Sequence, residues 1–154
     1  MKRLFLGGFV GTSVMTFMMY FVRPKLVGAP KDIAAELAGQ VGGPWWLGMG
    51  MHYVLGAVVI PLLLAFVLSK VLPGPSVVKG LLTGIGFWLV AMTVMMPMMG
   101  KGFFLSAGGE GPKAVIAAFM AHAVYGGLLG KIGGPAVSGL FGTKVQTGDP
   151  QPIA

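Results

Sequence analysis

Cysteine is absent from the 154 residues, which excludes disulfides, thiolate metal sites and covalently attached c-type haem. Charge is scarce too. Only 10% of the residues are charged and only four are acidic, against roughly 25% charged in a soluble domain. That leaves too little polar surface to wrap an aqueous globule and excludes an ordinary soluble enzyme. No catalytic signature appears among the few acids, and the glycine-rich stretches precede no phosphate-binding lysine in the required order.

What is present is apolar. Hydrophobic residues make up 55% of the chain, with 27 glycines and 12 methionines, and the mean hydropathy is +0.85. Glycine is commoner in transmembrane helices than in soluble ones. The net charge of +7 comes from eleven basic residues scattered between long apolar runs. Placed there, they read as topology and headgroup anchors rather than as a nucleic-acid surface. The lipid bilayer is the expected partner.

A bilayer core of roughly 30 Å needs about 20 apolar residues in helical form. Four segments without a charged side chain meet this: 4–22, 45–69, 80–99 and the shorter 114–130. The first exceeds the usual signal-peptide core of roughly 7–15 residues and lacks an A-x-A-like cleavage site, so it reads as a retained helix. Residues 1–132 then form a four-helix transmembrane domain, and 133–154 a polar tail. With both termini inside a bacterial inner membrane, Lys2, Arg3, Lys70, Lys79, Lys131 and Lys144 face inward. Arg23, Lys25, Lys31, Lys101 and Lys113 face outward, a narrow majority for this orientation. In the first outer loop Pro30 opens a candidate interfacial helix over 31–42, with Ile33, Leu37 and Val41 spaced four apart. Trp45 and Trp46 mark the headgroup level behind it.

The chain also contains an internal repeat. Met15-Thr16-Phe17-Met18-Met19 and Met92-Thr93-Val94-Met95-Met96 share M-T-x-M-M. His52-Tyr53-Val54-Leu55-Gly56 and His122-Ala123-Val124-Tyr125-Gly126 share H-x-V-x-G, in the same order. The expected architecture is all-α: two parallel helical-hairpin repeats in a pseudo-two-fold bundle. Gly7/Gly11 and Gly80/Gly84 supply GxxxG pairs for close helix contact.

Gly11-Thr12-x-x-Met15-Thr16, Met95-Met96-Pro97 followed by Gly100-x-Gly102-Phe103-Phe104, and His122-Ala123-Val124-Tyr125-Gly126 resemble YagU-like small bacterial membrane proteins of unknown function. The resemblance spans most of 4–130. It implies a four-helix inner-membrane protein and supplies no activity.

His52 and His122 are the only histidines. Counted from Trp45 and Ala114, both lie about 11–12 Å below the outer interface at 1.5 Å per residue. An ionisable residue inside a membrane marks a functional site by default. The pair suits a b-type haem, with both imidazoles as iron ligands. Gly48, Gly56, Ala118 and Gly126, each four residues from a histidine, would clear space for the ring. Thr16 and Thr93 would accept the Nδ1–H of each ligand, and Arg23, Lys25 or Lys101 would pair with propionates. The same residues also serve without a cofactor, each histidine bonding the threonine of its own hairpin for roughly 0.6 kcal/mol.

The methionines at 95, 96, 98 and 99, opposite Met18 and Met19, would suit Cu(I), although methionine also fills apolar gaps without a metal. No span carries an intramembrane acid for ion coupling, and Pro61 and Pro97 read as kinks. Glu110, Asp32 and Glu36 read as loop residues without fixed partners. The leading expectation is a haem b subunit of a respiratory assembly, without catalysis of its own, passing electrons to a redox protein at the outer face. The alternatives are a cofactor-free structural subunit of a larger membrane complex and a carrier of copper or a small solute.

Overall fold

The computed structural model describes residues 1–141, with side chains to residue 134. The described residues contain helices and no strand. We number the helices α1 (Lys2–Val27), α2 (Ile33–Val41), α3 (Trp45–Val71), α4 (Ser76–Met98) and α5 (Gly111–Phe141). Four helical stretches are long and apolar enough to cross a membrane: α1, α3, α4 and Gly111–Gly134 of α5. Large apolar side chains such as Phe9, Phe17, Phe21 and Phe66 are half exposed on their outer faces. A water-facing surface of that kind would be an aggregation hazard; a lipid-facing one is what a bilayer demands.

Two boundaries differ from the sequence reading. α1 runs on through Arg23, Pro24 and Lys25 to Val27, because Arg23 finds partners that let it be buried at 7% exposure. α5 continues to Phe141, so the first part of the expected polar tail is helical; residues 142–154 lie outside the described part.

α5 is the central helix, packed along α1 on one side and α4 on the other. Glycine sets both contacts. A Cβ on Gly80 would meet the Gly126 carbonyl oxygen, and one on Gly126 would meet that of Gly80. A Cβ on Gly7 would come 3.0 Å from Gly133 N, and one on Gly11 2.9 Å from the Tyr125 ring. The backbones therefore approach as closely as small residues permit. α3 leans on α1 near Gly8, whose added Cβ would lie 2.5 Å from Pro61 Cγ.

α2 begins at Asp32, whose side chain accepts from Ala35 N at 3.0 Å, and ends at Gly42 in the left-handed region at φ +65°. It buries Ala34, Leu37 and Ala38 rather than Ile33, Leu37 and Val41. The reason is Gly48 of α3, where a Cβ would strike Ala34 O and Ala38 N. The helix is docked on α3.

Three helices contain a π-turn ending just before a proline, at Met18–Val22, Leu55–Val59 and Ala91–Met95. In each, the amide before the proline reaches back five residues: Arg23 N to Met18 O, Ile60 N to Leu55 O, Met96 N to Ala91 O. The following residue in that register is Pro24, Pro61 or Pro97, which has no N–H to give. The carbonyls of Met19, Gly56 and Met92 are thereby left without a helical donor. Two find substitutes. Lys31 N donates to Met19 O at 3.2 Å, and the Tyr125 hydroxyl donates to Gly56 O at 2.7 Å.

Candidate functional site

The loop-bearing half of the bundle encloses a cavity of ≈ 250 Å³, walled by α1, α3, α4 and α5 and reached by α2. Its wall is predominantly apolar. Eight methionines line it, from Met15, Met18 and Met19 on α1 to Met92, Met95 and Met96 on α4. The three residues with orphaned carbonyls, Met19, Gly56 and Met92, all line it as well.

His52 and His122 both face this cavity, His52 at 8% exposure. Their protons can be assigned from their partners. The Thr16 hydroxyl donates its one proton to Thr12 O at 2.8 Å, so the 3.0 Å contact with His52 Nε2 has the imidazole N–H donating to Thr16 Oγ1. A neutral His52 then keeps its lone pair on Nδ1. His122 Nδ1 lies 2.8 Å from Ala118 O; a carbonyl only accepts, so Nδ1 carries the proton and Nε2 keeps the lone pair. Each imidazole therefore has one unprotonated nitrogen with no hydrogen-bond partner among the described residues.

The other expected residues are distributed unevenly. Gly56 and Ala118 line the cavity. Gly48 is spent on α2 and Gly126 on α4, where a Cβ would strike backbone. Thr16 reaches its histidine, through Nε2 rather than Nδ1. Thr93 does not: its hydroxyl donates to Leu89 O at 2.7 Å on its own helix. The two hairpins thus hold their histidines by different bonds.

Over the cavity lies a roof that the sequence reading missed. Arg23 pairs with Glu110 through Nη2 and donates from Nη1 to Ala29 O at 2.6 Å. Lys101 pairs with Glu36 and lies 3.4 Å from Glu110 Oε1. Lys31 Nζ lies 3.0 Å from Glu36 Oε2, an ionic contact off the hydrogen-bond direction, and 3.7 Å from Met96 Sδ. Asp32 accepts from Tyr20 Oη at 2.6 Å and from Trp45 Nε1 at 3.1 Å. The expectation that Glu110, Asp32 and Glu36 lack fixed partners is corrected: all three tie α1, α2 and the second long loop together.

Three cations against two carboxylates leave the Arg23–Lys31–Glu36–Lys101–Glu110 chain one positive charge in excess. Burial pushes the Lys31 ammonium below its ordinary pKa despite Glu36. Burial acts the same way on Lys101, but Glu36 and Glu110 together outweigh it and hold its pKa above the ordinary value.

These features define a class: a helical membrane protein with four candidate spans and an internal cavity under a charged roof. The chain belongs to the family described as "Family of unknown function (DUF6789)", whose profile matches residues 3–143. That match carries no statement about YagU-like proteins. No curated protein and no solved structure matches the chain.

Proposed function

We propose that the cavity is a binding site for a small lipid-soluble molecule, and that the protein is a membrane-embedded binding or carrier protein for it. The observation carrying this reading is an apolar cavity of ≈ 250 Å³ with an unprotonated imidazole nitrogen on each of two facing helices. An engineered apolar cavity of about 150 Å³ holds benzene, so this one has room for a substituted single ring. Few, placed polar groups in an apolar wall are the usual make-up of a small-molecule site. Leu55 of α3 and Val90 of α4 line the cavity yet are 41% and 48% exposed, which supports an entrance from lipid between these helices. We place the chain in a bacterial inner membrane with both termini inside and the roof outside. We read its two hairpins as parallel repeats, since both bring a methionine cluster and a histidine to one cavity.

The test uses the purified protein in detergent. Toluene is expected to raise its thermal midpoint, and Ala118→Phe, filling the cavity, to abolish that rise while preserving helicity. No stabilisation of the parent protein by toluene would overturn the reading.

Two imidazoles in one cavity also favour a second reading, a bis-histidine haem b passing electrons at the outer face. It requires the helices to part beyond the present volume and His52 to release Thr16 or ligate through Nδ1. A low-spin Soret band in the purified protein, lost in both His52→Ala and His122→Ala, would support it; a colourless protein would sink it.

A further inference from the structure

We infer that the cavity takes a ring bearing hydroxyl donors, the hydroquinone head of a membrane-soluble quinol, in preference to its oxidised quinone. This rests on the cavity being a binding site and goes further by fixing the direction of the hydrogen bonds. The wall offers acceptors. His52 Nδ1 and His122 Nε2 each hold a lone pair. Met92 O has no helical donor in either register, because Met96 N bonds Ala91 O and Pro97 has no N–H. Of the three carbonyls freed by π-turns it is the one without a substitute donor among the described contacts.

Most of the donors on the wall are engaged. The Thr12 hydroxyl donates to Gly8 O at 2.7 Å, and that of Tyr125 to Gly56 O. Arg23 donates to Ala29 O and Glu110; Lys31 donates to Met96 Sδ, pairs ionically with Glu36 and keeps N–H capacity only at the roof end.

An acceptor stranded inside a bilayer is costly, so the favoured occupant is one that donates. A quinone brings only acceptors; its two-electron, two-proton reduced form brings two hydroxyl donors on the same ring. Size and surface agree. A single substituted ring fits ≈ 250 Å³, and thioethers make favourable contacts with aromatic edges. An entrance at the exposed lining residues Leu55 and Val90 would let a hydrocarbon tail remain in lipid.

The experiment is anaerobic calorimetric titration of the detergent-purified protein with a short-tailed hydroquinone, its quinone and its dimethyl ether. The hydroquinone is expected to bind at least about tenfold tighter than either, the equivalent of ~1.4 kcal/mol for a hydrogen bond. His122→Leu should reduce that preference several-fold. Equal binding of all three ligands, or a preference that survives intact in His122→Leu, overturns the inference and leaves the binding site standing. Failure of all three while toluene still stabilises the protein overturns the inference alone. Failure of toluene as well overturns both readings.

Discussion

The bond from Tyr125 to Gly56 O gives a sharp test of how this bundle compensates for proline. Tyr125 is 2% exposed and its hydroxyl lies 2.7 Å from the carbonyl. Tyr125→Phe leaves that carbonyl bare, since Ile60 N is engaged with Leu55 O and Pro61 has no N–H. Orphaning a buried acceptor costs about 1–3 kcal/mol in water-soluble proteins. Interhelical hydrogen bonds in membranes average about 0.6 and reach about 1.7 kcal/mol, because alternative partners usually exist. Here the helix fixes the carbonyl and the neighbouring Thr12 hydroxyl already donates to Gly8 O, so the expected loss is near the upper figure, about 1.5 kcal/mol. In a Pro61→Ala background the new amide can serve Gly56 O in the same π-register. The Tyr125→Phe cost should then fall below about 0.5 kcal/mol, a coupling of roughly 1 kcal/mol. Loss of the proline ring, which packs against Gly8, cancels in the cycle. Reversible unfolding in mixed micelles or steric trapping in bicelles would measure it. An equal Tyr125→Phe cost in both backgrounds would refute the reasoning.

Two further outcomes follow from the packing and the roof. Gly126→Ala should separate α5 from α4 and lower stability by about 1–3 kcal/mol through overpacking, whereas Gly127→Ala, with nothing within 4 Å of its Cβ, should be neutral or slightly stabilising on helix propensity; equal effects in thermal denaturation would contradict the assigned contact. At Asp32 burial raises the carboxyl pKa, but bonds from Tyr20, Ala35 N and Trp45 outweigh it and hold the pKa below the ordinary value. Its stabilisation is therefore full above the unfolded aspartate pKa of about 3.9 and lost as pH falls through the lower folded value. Asp32→Asn should lower stability near neutral pH and flatten part of the decline below about pH 4; an unchanged acid limb would show that the carboxylate carries none of it.

The parts of this molecule legible in sequence are those written in local spacing. Four apolar runs located the helices, and Gly7/Gly11 with Gly80/Gly84 marked the surfaces that pack on α5. Matched depth drew attention to His52 and His122, and both line one cavity. The roof was illegible for a physical reason. Arg23 and Glu110 lie 87 residues apart, and Lys101 and Glu36 lie 65 apart, so no window along the chain shows them as neighbours. Each also looked like an ordinary loop charge, because its burial exists only once its partner has arrived. Thr93 misled in the opposite direction. Its motif copies that of Thr16, yet a threonine in a helix can always satisfy itself on the carbonyl four residues back, so motif identity does not specify which acceptor it takes.

The prolines carried more information than a kink reading extracts. A proline inside a span removes one N–H, and the π-turn before it shifts the uncompensated carbonyl to the residue five positions back. Applied to Pro24, Pro61 and Pro97, that arithmetic names Met19, Gly56 and Met92, and all three line the cavity. Freed carbonyls cannot face lipid without a donor, so they must turn toward protein, a loop or an occupant. At Met19 the donor is the Lys31 amide and at Gly56 the Tyr125 hydroxyl. These two bonds pin the loop leading into α2 to α1, and α5 to α3. At Met92 the described contacts supply no such donor. The same backbone device that fastens the cavity at two points thus leaves its third carbonyl without a donor among the described residues, so replacing Pro97 with alanine, which restores an amide in that register, would test whether this carbonyl binds a ligand.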